Sequence, residues 1–308
     1  MSDSIPPSNQ ETEHESPPPP KPESSVISRL KATDTGIPSK SEIAELAADA
    51  GSEMGMRLSE IRYSWVKGRA RFEAAFGPVE SFTVTGEPSD NLFELVYDEN
   101  PNYNYVLYLP DDYDPEDTGK KWPVVYFFHG IGESGRKLDS LLSYGLPAYI
   151  TKTGKFDMIM IAPQCPGDSH WADYDTETEK LVVFVDEMLE KYNIDADRMY
   201  LTGLSMGGRC TWKLALRLPE TFAAIAPVCG RSNTFDFSEI RDLPVWMFHG
   251  VLDSTVDFAN VNTLVEKLLE YEHRDFRLTA YPYVDHDSWT YAYNNEALYQ
   301  WLRTKSLS

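Results

Sequence analysis

Positive charge is in short supply in this chain of 308 residues: 28 Lys and Arg stand against 49 Asp and Glu, a formal net charge of -21. Phosphate backbones and anionic bilayers are held by clustered cations, so nucleic acid and anionic membranes are not the expected partners. An acidic surface is also expected to repel anionic substrates, an effect that salt weakens. Cysteine is scarce as well. Cys165, Cys210 and Cys229 cannot all pair within one chain and none stand as CxxC, which leaves neither a disulfide framework nor a zinc site, only buried thiols. No apolar run is long enough to span a bilayer. The amino terminus lacks a basic stretch followed by an apolar one, so no secretory signal is read and a cytoplasmic protein is expected. Neither a metal nor an organic cofactor is indicated.

What is present falls into three parts. Residues 1–38, rich in Pro, Ser and Glu, carry too little apolar surface to offset ordering entropy and are expected to be a disordered tail. Residues 39–90 read as an extension packing on the core. Within it lie a capping box of Ser39 and Glu42, a basic amphipathic stretch "MRLSEIRYSWVKGRARF" and a strand run "VESFTVTG". That basic stretch is assigned to the acidic body of the chain rather than to a membrane. Residues 91–308 read as the catalytic domain. After the runs "LFELVYD" and "NYVLYLP" come "PVVYFFHG", "DMIMIAPQ", "RMYLTG", "FAAIAPVCG", "PVWMFHG" and "FRLTAYPYV". Each of the last six is apolar at successive positions, as a strand buried on both faces must be. Helical patterns separate them: Leu181, Phe184, Val185, Met188, Leu189 and Tyr192 share one face, behind a capping box of Thr176 and Glu179, and Phe258, Val261, Leu264, Val265, Leu268 and Leu269 share another. Alternating strands and helices predict a doubly wound, mostly parallel α/β sheet.

The motif "GLSMGG" falls where the run "RMYLT" turns into the helical "GGRCTWKLALRL". A lone GxSxG is a weak signal. At a strand-to-helix turn it is the context of a nucleophile elbow, with Gly203 and Gly207 letting strand and helix close around an exposed Ser205 hydroxyl. A serine needs a base, and the base an orienting carboxylate, in the chain order Ser, Asp or Glu, His. His249 precedes the plausible acid and reads as a packed strand-end residue; His273, at a charged helix end, reads as solvated. His286, after the last strand run, is left as the base, with Asp253 as the acid and Asp257, Asp285 and Asp287 as its competitors. The developing oxyanion needs two donors. The N–H of Met206 is one, and the loop "HGIGESG" offers the other from Ile131, or in second place Gly132.

Taken together, "YFFHGIGESG", "IAPQCP", "LTGLSMGGRCTWKLALRLPETFAAIAPVCG", "FHGVLDSTV" and "HDSWTYAYNNEALYQWL" resemble the bacterial α/β-hydrolases related to feruloyl and acetylxylan esterases of carbohydrate esterase family one. Poly(3-hydroxybutyrate) depolymerase-like proteins and predicted peptidases belong to the same circle. The resemblance covers roughly residues 95–305. It implies an α/β-hydrolase fold, the triad at Ser205, Asp253 and His286, and hydrolysis of small-molecule or glycan-linked carboxylic esters. The same loop "HGIGESG" is similar to that of acyl-protein thioesterases. Gln164 and Trp171, in the loop after "DMIMI", and Trp289 are expected to shape the substrate pocket. Cys210 and Cys229 are expected to be core thiols. A serine peptidase and an acyl thioesterase stay as alternatives to the esterase; a non-catalytic binding protein of this fold would have lost a triad member.

Overall fold

The computed structural model describes residues 92–97 and 103–307, apart from 168, 172, 174, 233 and 235. The tail, the Ser39 and Glu42 capping box, the basic stretch and the run at 79–86 all lie outside the described residues.

Eight strands form one sheet: β1 (Glu94–Val96), β2 (Tyr105–Tyr108), β3 (Trp122–Phe128), β4 (Ile159–Pro163), β5 (Ile194–Leu204), β6 (Ala224–Val228), β7 (Val245–Gly250) and β8 (Phe276–Tyr281). Their order is β1-β2-β4-β3-β5-β6-β7-β8. The first two strands run antiparallel, β1 on β2 and β2 on β4, and every later pairing is parallel. All six apolar runs of the second half thus become the parallel part of the sheet. The helices are α1 (Gly145–Thr153), α2 (Asp175–Lys191), α3 (Met206–Arg217), α4 (Phe258–Glu270), α5 (Trp289–Tyr293) and α6 (Glu296–Arg303). Among the described residues none is long and apolar enough to cross a membrane.

The apolar runs are continuous because both faces of the sheet are covered. In β3, Val124, Tyr126 and Phe128 point into one core layer and Val125 and Phe127 into the other. Side chains of α2, α3 and α4, such as Phe184, Trp212 and Leu264, fill the first layer. Those of α1, α5 and α6, such as Ile150, Tyr293 and Trp301, fill the second. Helices on both faces make the sheet doubly wound. The predicted helix faces are the buried ones: Leu181, Phe184, Val185 and Met188 in α2, and Phe258, Val261, Leu264, Val265 and Leu268 in α4.

Two local expectations fail. The capping box of Thr176 and Glu179 does not form, because α2 starts at Asp175 and the Glu179 carboxylate is engaged by Arg217. His273 is not solvated. Past the end of α4 the chain turns inward, leaving His273 2 % exposed against the Phe276 ring. Burial lowers its pKa to about 4, so it is neutral in the folded protein.

Candidate active site

The sheet's parallel strands deliver their carboxyl ends to one edge, and the candidate site is assembled there. β5 ends at Leu204 and α3 begins at Met206, so Ser205 alone makes the turn. It does so at φ 55° and ψ -113°, a conformation L-residues avoid and a nucleophile elbow needs. The turn holds because Gly203 and Gly207 let backbones touch: a Cβ on Gly207 would sit 1.9 Å from the Phe128 carbonyl oxygen, and one on Gly203 2.5 Å from that of Gly207. The Ser205 N–H donates to the Val228 carbonyl at 2.9 Å, tying the elbow to β6.

The Ser205 Oγ lies 2.8 Å from His286 Nε2, and the opposite ring nitrogen, Nδ1, lies 2.9 Å from Asp253 Oδ2. An Nδ1–H donating to the carboxylate leaves Nε2 with the lone pair that faces the serine. Asp253 is buried and also accepts from the backbone N–H of Thr255 at 2.9 Å and of Val256 at 2.8 Å. A fourth donor is His249, fully buried, whose Nε2 is 3.2 Å from Asp253 Oδ2 and 2.8 Å from the Val256 carbonyl. Both of those neighbours are acceptors, so Nε2 carries the proton. Burial opposes charge on Asp253, but the bonds from His249, His286 and Val256 outweigh it and hold the carboxyl well below the usual carboxylate range.

The three competing acids are engaged elsewhere. Asp257 caps α4 through the N–H of Ala259, and Asp287 accepts from Thr290. Asp285 accepts from the N–H and hydroxyl of Ser254 and from the N–H of His286, which fastens the acid's loop to the base's loop. Sequence reasoning missed this clamp, because two neighbouring loops are bridged by a residue that reads as surface charge.

Ser205 opens into a groove of about 250 Å³ that Ile131, Met206, His170, Arg209 and Arg231 help to line. Ile131 is the first residue of a single 3-10 turn after β3 and is 66 % exposed; Met206 is the first residue of α3. The N–H of a first helical residue has no intrahelical acceptor, so both main chains offer a donor beside the serine. Gly132 does not line the groove.

The expected pocket residues divide. Trp289 packs edge-on against the His286 ring at 5.4 Å and against Tyr144 at 6.4 Å, at the rim of the site. Trp171 cannot touch a substrate in this structure. It is fully buried, with its ring centroid 4.8 Å from that of His129 and 5.4 Å from that of Phe128, so the side chain packs into the core and not against the groove. Gln164 spends its amide on the Glu133 carbonyl at 3.0 Å and anchors the loop after β3. The same loop reaches the groove through His170, one residue before the tryptophan. Cys165, Cys210 and Cys229 are buried free thiols, and burial raises the pKa of each, which disfavours a thiolate. Among the described residues no cluster of three or more His, Cys, Asp or Glu is arranged to hold a metal ion.

Comparison with known proteins bears out the resemblance. Residues 167–304 match the Dienelactone hydrolase family. A bifunctional acetylxylan esterase/xylanase from Neocallimastix patriciarum is 26% identical over 164 residues, which are 52% of this chain and 24% of that protein. Feruloyl esterase B from Neurospora crassa is 30% identical over 142 residues, 42% of this chain and 45% of that one. The chain thus spans less than half the length of either curated relative. Among solved structures, a thermostable esterase superposes with a TM-score of 0.61 at 30% identity, over 70% of this chain and 64% of its own. The architecture is the α/β-hydrolase fold.

Proposed function

We propose that this protein hydrolyses carboxylic esters through an acyl-enzyme, with Ser205 as nucleophile, His286 as general base and Asp253 as the carboxylate that orients it. The reading rests on one observation, the chain of hydrogen bonds from Ser205 Oγ through the His286 ring to Asp253. The Ser205 oxygen attacks the ester carbonyl while its proton passes to His286 Nε2. The carbonyl oxygen takes up the negative charge, and the N–H groups of Ile131 and Met206 stabilise it. Collapse of the tetrahedral intermediate breaks the C–O bond, and the imidazolium returns the proton to the departing alcohol. Water then repeats the sequence on the acyl-serine and frees the acid.

Short-chain and aryl esters are the substrates that the site favours, small or attached to a glycan. Tyr144 and Trp289 offer an aromatic rim, and the acetylxylan and feruloyl esterases among the relatives act on esters of this kind. Ser205→Ala is expected to lower kcat on p-nitrophenyl acetate by about 10⁴ to 10⁶ with the fold intact, and to abolish labelling by a fluorophosphonate. A folded Ser205→Ala protein with near wild-type turnover would end the reading. A matched peptide anilide should be cut at least about 10³ more slowly than the ester, a difference of about 4 kcal/mol in transition-state binding.

A further inference from the structure

The surplus of 21 negative charges predicts that anions are repelled. The groove beside Ser205 reverses that sign locally. Among the described residues that line it there are two arginines and no Asp or Glu. Arg209 sits in the first turn of α3, four residues beyond the serine, and its guanidinium pairs with Asp173. That carboxylate also faces His170 Nδ1 at 3.2 Å, so Arg209 is held in place against the groove wall by a group that does not itself line the groove. Arg231 lies past the end of β6, is exposed, and has no ion-pair partner among the described residues. An exposed arginine is ordinary by itself. This one shares a concave surface with a serine hydroxyl, a second guanidinium and the positive end of a twelve-residue helix, in a chain that has acids to spare for neutralising it.

We propose that the groove selects esters that carry a carboxylate, which Arg231 binds by its guanidinium fork while Arg209 supplies a second, fixed cation. A guanidinium suits a carboxylate because two parallel N–H donors meet its two oxygens. The acidic remainder of the surface then acts against anions in general, and the groove admits those whose charge lies at a set distance from an ester carbonyl. This inference rests on the esterase reading, since it names the substrates of the same site.

The test uses matched pairs of esters with the full chain. p-Nitrophenyl hemisuccinate against p-nitrophenyl butyrate places the carboxylate on the acyl side; 4-acetoxybenzoate against 4-acetoxybenzamide places it on the alcohol side. In at least one pair the wild-type kcat/KM should favour the anion, and Arg231→Gln should lower the anionic-to-neutral ratio about tenfold. Arg231→Lys, which keeps the charge without the fork, should fall between the two. Raising the salt concentration should shrink the ratio in the wild type and leave it nearly flat in Arg231→Gln. If neutral esters are hydrolysed and neither ratio responds to Arg231→Gln, the carboxylate site is wrong and the esterase reading stands. If no ester is hydrolysed, the esterase reading has failed, and calorimetry with 4-acetoxybenzoate decides the site separately. Binding that Arg231→Gln removes would support it, and absent or unaltered binding would overturn it.

Discussion

The tripeptide Phe-His-Gly stands at the carboxyl ends of two strands, leading out of β3 at residues 128–130 and closing β7 at 248–250, and the two histidines do different things. Both are buried at the carboxyl edge. His129 receives the Cys165 N–H on Nε2 at 2.9 Å and donates from Nδ1 to the Gly130 carbonyl, so both ring nitrogens are engaged by backbone and the ring fastens the loop after β4 to the end of β3. The Nε2–H of His249 is shared between the Val256 carbonyl and Asp253, and among the described residues its Nδ1 has no hydrogen-bond partner. One histidine holds loops; the other braces the carboxylate behind the base. The difference comes from the chain that follows each tripeptide. After β7 it turns back so that Asp253 lands on the ring of the residue four positions earlier.

The hardest blow to this division is Asp253→Asn. The amide keeps the size of the carboxylate but no longer favours the proton on His286 Nδ1, which leaves Nε2 without its lone pair toward Ser205. A kcat loss of about 10⁴, with the fold retained at a lower melting temperature, is expected on a neutral ester. Turnover above a tenth of the wild type would show that the acid facing both histidines does not govern the base.

Acid titration probes the other histidine. Burial lowers the pKa of His129 to about 4, and His273 behaves alike. Between that value and the unfolded pKa of about 6.5 the unfolded chain binds protons that the folded one refuses, so stability rises with pH across this window. It is fully present above about pH 6.5 and declines as pH falls toward 4, by on the order of 3 kcal/mol for each ring. Glu133, whose carboxyl burial raises, pulls in the opposite direction over part of the range. Asp253, held low, adds its own loss only at more acid pH. Urea unfolding at a series of pH values should show the slope, and His129→Gln should reduce it by about one proton while lowering stability at neutral pH. An unchanged slope in that variant would mean that His129 is not the neutral, sealed ring described above.

The parts of the molecule that were legible beforehand are those fixed by local pattern. Buried parallel strands need consecutive apolar residues, and an elbow needs glycines on either side of its serine. The order of the triad follows the order of the strands. Ser205 and His286 could therefore be named from strand context and chain order, and Asp253 put ahead of three competing acids; the structure brings the three side chains within hydrogen-bonding reach of one another. What failed depends on how loops fold back, which no period encodes. Trp171 reads as an aromatic wall and is instead buried in the core, with His170 presented in its place. His273 reads as charged surface and is buried by a turn after α4. Asp285 reads as a solvated charge and is a clamp. Arg209 and Arg231 carry no local signature, because their shared groove exists only once α3 and the end of β6 lie side by side.

The smallest expected effect is the most direct test of the comparison, since it asks whether His249 does more than fill space as His129 does. His249→Phe keeps a ring in the cavity beside Phe258, 5.9 Å away in the native protein, and removes the donor to Asp253. Asp253 would keep His286 and the two backbone N–H groups, so the carboxylate stays charged but is free to swing about the bonds that remain. His286 should then spend part of its time out of line with Ser205. A positioned group lost behind the base predicts roughly a tenfold fall in kcat, about 1.4 kcal/mol, with KM nearly constant because no substrate contact is touched. His249→Gln can place an amide N–H where Nε2–H was and should recover part of the loss, whereas a purely space-filling position would tolerate the phenylalanine better than the amide. Rate constants for the three proteins on one neutral ester, read beside their melting temperatures, separate these cases. Full kcat in His249→Phe would reduce His249 to packing and erase the distinction between the two strand ends.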